Sequence, residues 1–184
     1  MKRLWGILAV GVLALSACSS TEAEPTEKVP AETTESTKPA AALESACTDA
    51  LGDSESADLP GVRLLSDGSL MFVTYMLDGE LPTAGTVLYS VTASSKDGNT
   101  AYQMGSKFQD GQEVANFVYD MGSATQKNIT NGVTAVDGEV ASRYALGDLE
   151  GLGDDFEWSA SVTVDGTDVD RCPDGDGKTQ FPNS

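Results

Sequence analysis

Five aspartates near the C-terminus have the spacing of ligands for a hard cation. They follow one another at intervals of two to four residues, with glycines between them that permit tight turns: Asp165, Asp168, Asp170, Asp174 and Asp176. Calcium prefers carboxylate oxygens in flexible loops of this kind, so we expect no cofactor unless these residues bind calcium. The alternative is a solvated acidic tail, because a chain with 29 acidic residues forms such clusters by chance.

No combination of residue types in the chain is typical of an active site. The chain contains no histidine, which is the most common base partner of a serine or cysteine nucleophile. A carboxylate pair such as Asp154 with Glu157 could support glycoside hydrolysis, but acids are so abundant that any one pair is uninformative. We therefore expect a protein without enzymatic activity.

The N-terminal leader indicates export and lipid modification. Lys2 and Arg3 precede an apolar run over residues 4–15, and small residues then lead into Cys18. This order is typical of a secretion signal, and Leu15-Ser16-Ala17-Cys18 closely resembles the lipobox of bacterial lipoproteins. The resemblance implies cleavage before Cys18 by lipoprotein-processing enzymes and a diacylglyceryl group on its thiol. The alternatives are an ordinary signal peptide or a transmembrane helix, although a membrane span needs about 20 apolar residues.

The two remaining cysteines, Cys47 and Cys172, are candidates for a disulfide. An even pair of cysteines in an exported protein most simply forms one bond. The alternatives are two free thiols or a shared metal ion. A zinc site would lack ligands, because the chain has no histidine and no further cysteine to offer.

Composition divides the chain into three parts. Residues 1–17 are the leader, and residues 18–44 comprise the lipidated cysteine and a tether rich in Thr, Glu and Pro, which we expect to be disordered. Residues 45–184 are long enough for one domain with one core. The net charge of −18 becomes −20 without the leader, since only Lys2 and Arg3 are lost. Such a chain is not expected to bind nucleic acid, which attracts clustered basic residues.

The domain is predicted to be an antiparallel β-sandwich of seven or eight strands, jelly-roll or immunoglobulin-like. Asp-Gly pairs, which favour tight hairpins, recur along it. Between them lie runs with period-two alternation, of which the clearest is Phe156 to Val164. Trp158 is on the apolar side of that run, so we place it in the core. The run Leu70 to Met76 is apolar at both alternations and predicts a central strand, and residues 148–152 form at most one helical turn.

The order of segments within the domain resembles the DOMON-like sandwiches, which include the family-nine carbohydrate-binding modules. The segments that carry this resemblance are residues 67–73, 140–146, 148–153 and 156–160. The resemblance implies a β-sandwich that binds a sugar, haem or another ligand.

The sequence therefore predicts a lipid-anchored β-sandwich on the outer side of a cell membrane, acting as a binding or interaction module. Its partner would be a small molecule, a sugar, an envelope polymer or a protein. One alternative is a carbohydrate-binding module, which an exposed row of two or three aromatic rings on one sheet face would support. The other is an accessory subunit of an envelope membrane complex.

Overall fold

The computed structural model describes residues 42–130 and 132–183, and these residues form strands and turns almost throughout. They contain twelve strands and one short 3-10 turn at Leu146–Asp148. The strands are β1 (Leu43–Thr48), β2 (Gly61–Ser66), β3 (Leu70–Met76), β4 (Thr86–Ser95), β5 (Ala101–Gln109), β6 (Gln112–Asp120), β7 (Thr125–Asn128), β8 (Thr134–Val136), β9 (Glu139–Ala145), β10 (Phe156–Val164), β11 (Thr167–Cys172) and β12 (Thr179–Phe181).

The strands form two antiparallel sheets that pack as a sandwich, as the sequence predicted. The five-stranded sheet has the order β1-β2-β3-β9-β8, so β3 is its central strand. The seven-stranded sheet has the order β11-β10-β4-β5-β6-β7, and β12 pairs with the part of β10 that β11 leaves free. Two of the strands beyond the expected seven or eight are β7 and β8, which are short and exposed along their whole length. Such strands show no alternation of apolar and polar residues.

Five of the predicted Asp-Gly turns lie between paired strands, whereas Asp78-Gly79 lies in the connection from β3 to β4, which belong to different sheets. Asp67-Gly68, Asp97-Gly98, Asp110-Gly111, Asp137-Gly138 and Asp165-Gly166 each connect two consecutive strands. At two of these hairpins both residues have a positive φ: 51° and 77° at Asp110-Gly111, and 48° and 83° at Asp165-Gly166. This is the conformation of the tight turns that match the twist of a hairpin. The 3-10 turn begins at Leu146, two residues before the segment 148–152 in which a turn was expected.

One hydrophobic core lies between the two sheets. Its members occupy alternate positions of the strands, and all of them are shielded from solvent. From the five-stranded sheet they include Val62, Leu64, Met71, Val73, Tyr75, Val140 and Tyr144, and from the seven-stranded sheet Val87, Tyr89, Val91, Met104, Phe108, Trp158, Ala160 and Val162. The prediction that Trp158 is a core residue is confirmed, since it is 0% exposed.

Edge strands of the two sheets are joined to each other, and we call this junction the seam. The Ser45 hydroxyl on β1 donates to the Gln180 carbonyl on β12 at 2.7 Å. Trp158 on β10 donates its indole N–H to the same hydroxyl at 3.0 Å. The Asn183 side chain donates to the Ala46 carbonyl at 3.0 Å. The seam therefore attaches the first strand of the domain to its last.

Candidate functional site

The disulfide predicted between Cys47 and Cys172 is present and belongs to the seam. The two Cα atoms are 5.9 Å apart, and the bond connects residues 125 positions apart. Cys47 is on β1 and Cys172 ends β11, so the bond crosses from one sheet to the other. Both cysteines are buried. Their role is therefore structural, and neither thiol is available for nucleophilic or metal chemistry.

The leader, Cys18 and residues 19–41 of the tether lie outside the described residues. Within residues 42–130 and 132–183, no helix has the length and apolar character that a bilayer span requires. The lipid modification at Cys18 thus stays a prediction from the sequence.

The five aspartates predicted as calcium ligands do not converge on one point. Asp165 accepts from the Thr86 backbone N–H in the β10–β11 turn. The carboxylate of Asp168 accepts from the Thr163 hydroxyl and pairs with Arg171. The Asp170 carboxylate instead accepts from the backbone N–H of Leu59 at 2.6 Å. Asp174 and Asp176 are exposed in the turn before β12.

An irregularity in β11 separates Asp168 from Asp170. Val162 pairs with Asp170 while the next residue, Thr163, pairs with Asp168, which leaves Val169 as an extra residue in the strand. A β-bulge of this kind changes the direction of the side chains beyond it. Residues two apart on a regular strand share a face, so the bulge explains why Asp168 and Asp170 do not contribute to one ligand set.

A different acidic cluster forms around Asp170, and it comprises Asp49, Asp53 and Asp170. One carboxylate oxygen of each residue lies within 4.8 Å of the others, so the three residues are close enough to bind the same cation. Asp49 contributes an oxygen, Oδ2, that is buried and has no hydrogen-bond partner among the described residues. The neighbouring Asp58 is occupied otherwise, since its carboxylate accepts from the Gly52 and Ser54 backbone N–H groups. The sequence indicated only Asp170, because Asp49 and Asp53 come more than a hundred residues earlier.

The pKa of Asp49 in the acidic cluster is raised above its ordinary value. Burial is the main cause that raises this pKa to about 6; a hydrogen bond from the Ala50 backbone N–H opposes the rise, and the charge of Asp170 adds to it. In contrast, hydrogen bonds from the Ser95 hydroxyl and from Asn99 lower the pKa of Asp97 in the β4–β5 turn. The two aspartates therefore contribute to stability with opposite dependence on pH.

Replacing Asp49 with asparagine is expected to stabilise the domain at pH 7 relative to the wild type. On unfolding, Asp49 regains its ordinary pKa of about 3.9. Because the pKa of Asp49 is near 6 in the folded state, its protonation adds fully to the free energy of unfolding below about pH 4. This stabilising contribution is lost as the pH rises through about 6. The advantage of Asp49→Asn should therefore vanish at pH 4, which urea unfolding at a series of pH values measures. Asp97→Asn is the control, and it should destabilise at pH 7. An advantage of Asp49→Asn that stays constant with pH would contradict the prediction.

The outer surface of the five-stranded sheet carries a second group of residues, which we call the arginine face. Its members point outward from the three adjacent strands β2, β3 and β9: Arg63, Leu65, Phe72, Thr74, Ala141 and Arg143. In the strand register Phe72 lies between Leu65 and Arg143, and Thr74 lies between Arg63 and Ala141. The inward alternation of the same strands forms the core. The face is thus the outer side of the sandwich, where Arg63 and Arg143 are exposed and the other four members are partly exposed among the described residues.

Two shallow hollows flank Phe72 on the arginine face. One is lined by Arg63, Leu65, Phe72 and Thr74, and the other by Phe72, Thr134, Ala141 and Arg143 with neighbouring residues. Each has a volume of about 270 Å³. One arginine borders each hollow, so the face offers two cationic positions on either side of a phenyl ring.

Aromatic side chains do not form an exposed row on either sheet within the described residues. Phe72 and Tyr119 are the two that are partly exposed there, and they lie on different sheets. Phe117, next to Tyr119 on β6, is 7% exposed because its ring covers Gly105. A Cβ atom on Gly105 would lie 2.4 Å from the Phe117 ring. The feature that would support a carbohydrate-binding module is therefore not found in this part of the chain.

Comparisons with known proteins do not assign the chain to a family. No family model matches it, and neither does any curated protein or solved structure. A functional assignment must therefore come from the residues themselves, and the arginine face, the acidic cluster and the N-terminal leader are the features that bear on it.

Proposed function

We propose that this chain is a lipid-anchored, extracytoplasmic interaction module, whose β-sandwich binds a partner through the arginine face. The observation that carries the proposal is the composition of that face. Arginine, phenylalanine and methionine are enriched at the centres of protein interfaces, and charged acids are depleted there. The six residues of the face include Arg63, Phe72 and Arg143 and no carboxylate, on a chain whose net charge is −18. Carboxylates border the face, where Glu44 on β1 lies opposite Leu65 and Glu139 on β9 lies opposite Met76.

Two independent features support an extracytoplasmic location. The lipobox-like ending of the leader at Cys18 is the first. The disulfide between Cys47 and Cys172 is the second, because such bonds persist in oxidising compartments and are rare in the cytosol. Two acyl chains contribute about 0.8 kcal/mol per buried methylene, which anchors a protein stably where a single chain would not.

Replacing Cys18 with alanine is expected to abolish the anchor. The variant cannot accept a diacylglyceryl group, so it should either keep its leader uncut or appear in the soluble fraction. Membrane fractionation and the mass of the intact chain measure the two outcomes. Ser19→Ala is the matched control, because it changes the neighbouring residue and leaves the thiol. A Cys18→Ala chain that is cut before residue 18 and still needs detergent for extraction would overturn the lipoprotein proposal.

Photo-crosslinking in intact cells tests the binding function. A photoreactive residue in place of Thr74 reports on the arginine face, and one in place of Thr92 reports on the outer side of the seven-stranded sheet. Adducts at Thr74 support binding through the arginine face, whereas adducts at Thr92 alone would place the interaction on the other sheet and contradict the proposal. The absence of adducts at both, from a chain shown to be folded and anchored, contradicts it.

The accessory-subunit alternative remains compatible with the same geometry. It predicts that the adduct at Thr74 is a subunit of a membrane complex that co-purifies after mild detergent extraction. The carbohydrate-binding alternative predicts retention on a polysaccharide matrix instead. It has less support, because the partly exposed rings Phe72 and Tyr119 do not share a surface.

A further inference from the structure

The distribution of positive charge singles out the arginine face. Residues 42–183 contain three arginines, and two of them, Arg63 and Arg143, belong to this face. The third, Arg171, is paired with Asp168 on β11. Lys96, Lys127 and Lys178 are also paired, with Asp155, Asp148 and Glu157. Four of the seven basic side chains are thus paired with acids of the domain, and Arg143 also has an interaction partner. Arg63 and, on the other sheet, Lys107 have no ion pair or hydrogen bond among the described residues.

The two arginines are held at a defined separation by the sheet. Arg63 is on β2 and Arg143 is on β9, with β3 between them. They are therefore two strand spacings apart, which is about 10 Å across the sheet. Along the strands they differ by one pleat, since Arg143 pairs with Phe72 and Arg63 pairs with Thr74. A ligand that engages both must carry two anionic groups with comparable spacing and must pass over Phe72.

We infer that the arginine face recognises an acidic segment of a partner protein, in which two carboxylates contact Arg63 and Arg143 and an apolar side chain between them packs on Phe72. This inference rests on the proposed function. Guanidinium groups bind carboxylates bidentately, which supplies direction as well as charge complementarity. The hollows on either side of Phe72 each border one arginine, so each can receive one carboxylate.

The same features argue against two other occupants. A second copy of the chain would bring the same arginines against themselves in a symmetric contact, and like charges placed opposite one another are unfavourable. An anionic membrane attracts a protein through clusters of several basic residues, each contributing about 1 kcal/mol. Here two arginines stand on a chain with 29 acidic residues. A local contact with a short acidic segment is favoured, since charges beyond a Debye length of about 8 Å are screened.

The test uses a probe peptide with the required chemistry, Gly-Ser-Glu-Thr-Leu-Thr-Glu-Ser-Gly-Ser, in which the leucine is photoreactive. In an extended peptide the two glutamates and the leucine alternate onto one side. The full chain in a non-ionic detergent is irradiated with the peptide, and the adducts are mapped by mass spectrometry. We expect adducts on β2, β3 and β9, with a yield that falls at least fivefold for Arg63→Glu/Arg143→Glu. A peptide with glutamine in place of both glutamates should show an equal fall in adduct yield with the wild-type chain.

Matched variants separate the face from the total charge. Lys107→Glu/Lys127→Glu changes the net charge by the same amount on the other sheet, and it should leave the yield unchanged. Arg63→Lys/Arg143→Lys keeps the charge without the bidentate fork, so an intermediate yield is expected. Both arginines are exposed, so the variants should fold, which tryptophan emission verifies.

Three results would overturn the inference. The first is an adduct map centred outside β2, β3 and β9, and the second is a yield that the arginine reversals do not change. The third is a competition result. If phosphatidylglycerol, measured against phosphatidylcholine, lowers the adduct yield more than excess unlabelled peptide does, the face binds lipid. Failure here leaves the proposed function intact if cellular crosslinks form at Thr74, whereas loss of that crosslink removes both.

Discussion

Trp158→Ala is expected to destabilise the domain by about 3–5 kcal/mol, the range for truncating a large aromatic side chain in a core. Trp158 is 0% exposed and its indole N–H donates to the Ser45 hydroxyl at 3.0 Å. Truncation therefore removes packing between the sheets and one contact of the seam. Since a domain of this kind has a total stability of about 5–15 kcal/mol, this loss is a large fraction of the free energy of unfolding. Urea unfolding followed by circular dichroism measures the change.

Two further variants identify the origin of this effect. Trp158→Phe keeps an aromatic ring and removes the N–H, so it should cost less than alanine and isolate the hydrogen bond to Ser45. Leu51→Ala is the control, because Leu51 is 70% exposed and its truncation should change stability by less than about 0.5 kcal/mol. In a chain without residues 1–17, Trp158 is the sole tryptophan, and its emission should be blue-shifted and resistant to iodide. Red-shifted, easily quenched emission would place the ring on the surface.

The second large effect is expected from Cys47→Ala/Cys172→Ala, which removes the disulfide without leaving a free thiol. Closing a loop of 125 residues restricts the unfolded chain and is worth about 4–5 kcal/mol on the chain-entropy argument. The variant should keep its sheets and lose stability by that order, which urea unfolding in the absence of reductant measures. Reduction of the wild type should lower its stability similarly and leave the variant unaffected. Two thiols that alkylate in the native, oxidised protein would contradict the bond itself.

The features that were predictable from the sequence depend on neighbours along the chain. The strand Phe156 to Val164 was recognised because one alternation is apolar and the other polar, and the burial of Trp158 followed from it. The Asp-Gly hairpins were recognised because their conformational preference is a property of two consecutive residues. The disulfide was predictable because, once Cys18 is assigned to the predicted lipid anchor, Cys47 and Cys172 have one simple pairing.

The features that were missed depend on residues that are distant along the chain. Asp49 and Asp53 join Asp170 only after β1 and β11 have been brought to the same edge of the sandwich. The extra residue Val169 could not be seen in the spacing of the aspartates, because a bulge is a property of two paired strands. Short strands such as β7 and β8 have every side chain exposed, so their pairing is specified by backbone hydrogen bonds that leave no pattern in the sequence.

The apolar residues on the two sides of β3 have different surroundings. Apolar residues at both the odd and the even positions of β3 predicted a central strand, and β3 is the central strand of its sheet. One alternation faces the core, while Phe72 on the other is only half-buried and open to solvent. The basic residues at outward positions of β2 and β9 were the available signal, since a strand covered on both sides would not have arginines beside it.

The seam also determines how the domain responds to a mechanical load applied at its N-terminal end. A pull on residue 42 can peel residues 43–46 away from β2, which lengthens the chain by roughly 14 Å at the extension of a stretched backbone. The load then reaches Cys47 and passes through the covalent bond to Cys172, and from there to β10 through its hydrogen bonds with β11. Peeling therefore stops after one short segment, and further extension would require strands within the seven-stranded sheet to slide past one another. A load applied at residue 42 would thus be carried by β11 and β10, with the strands β3 and β9 of the arginine face outside its path.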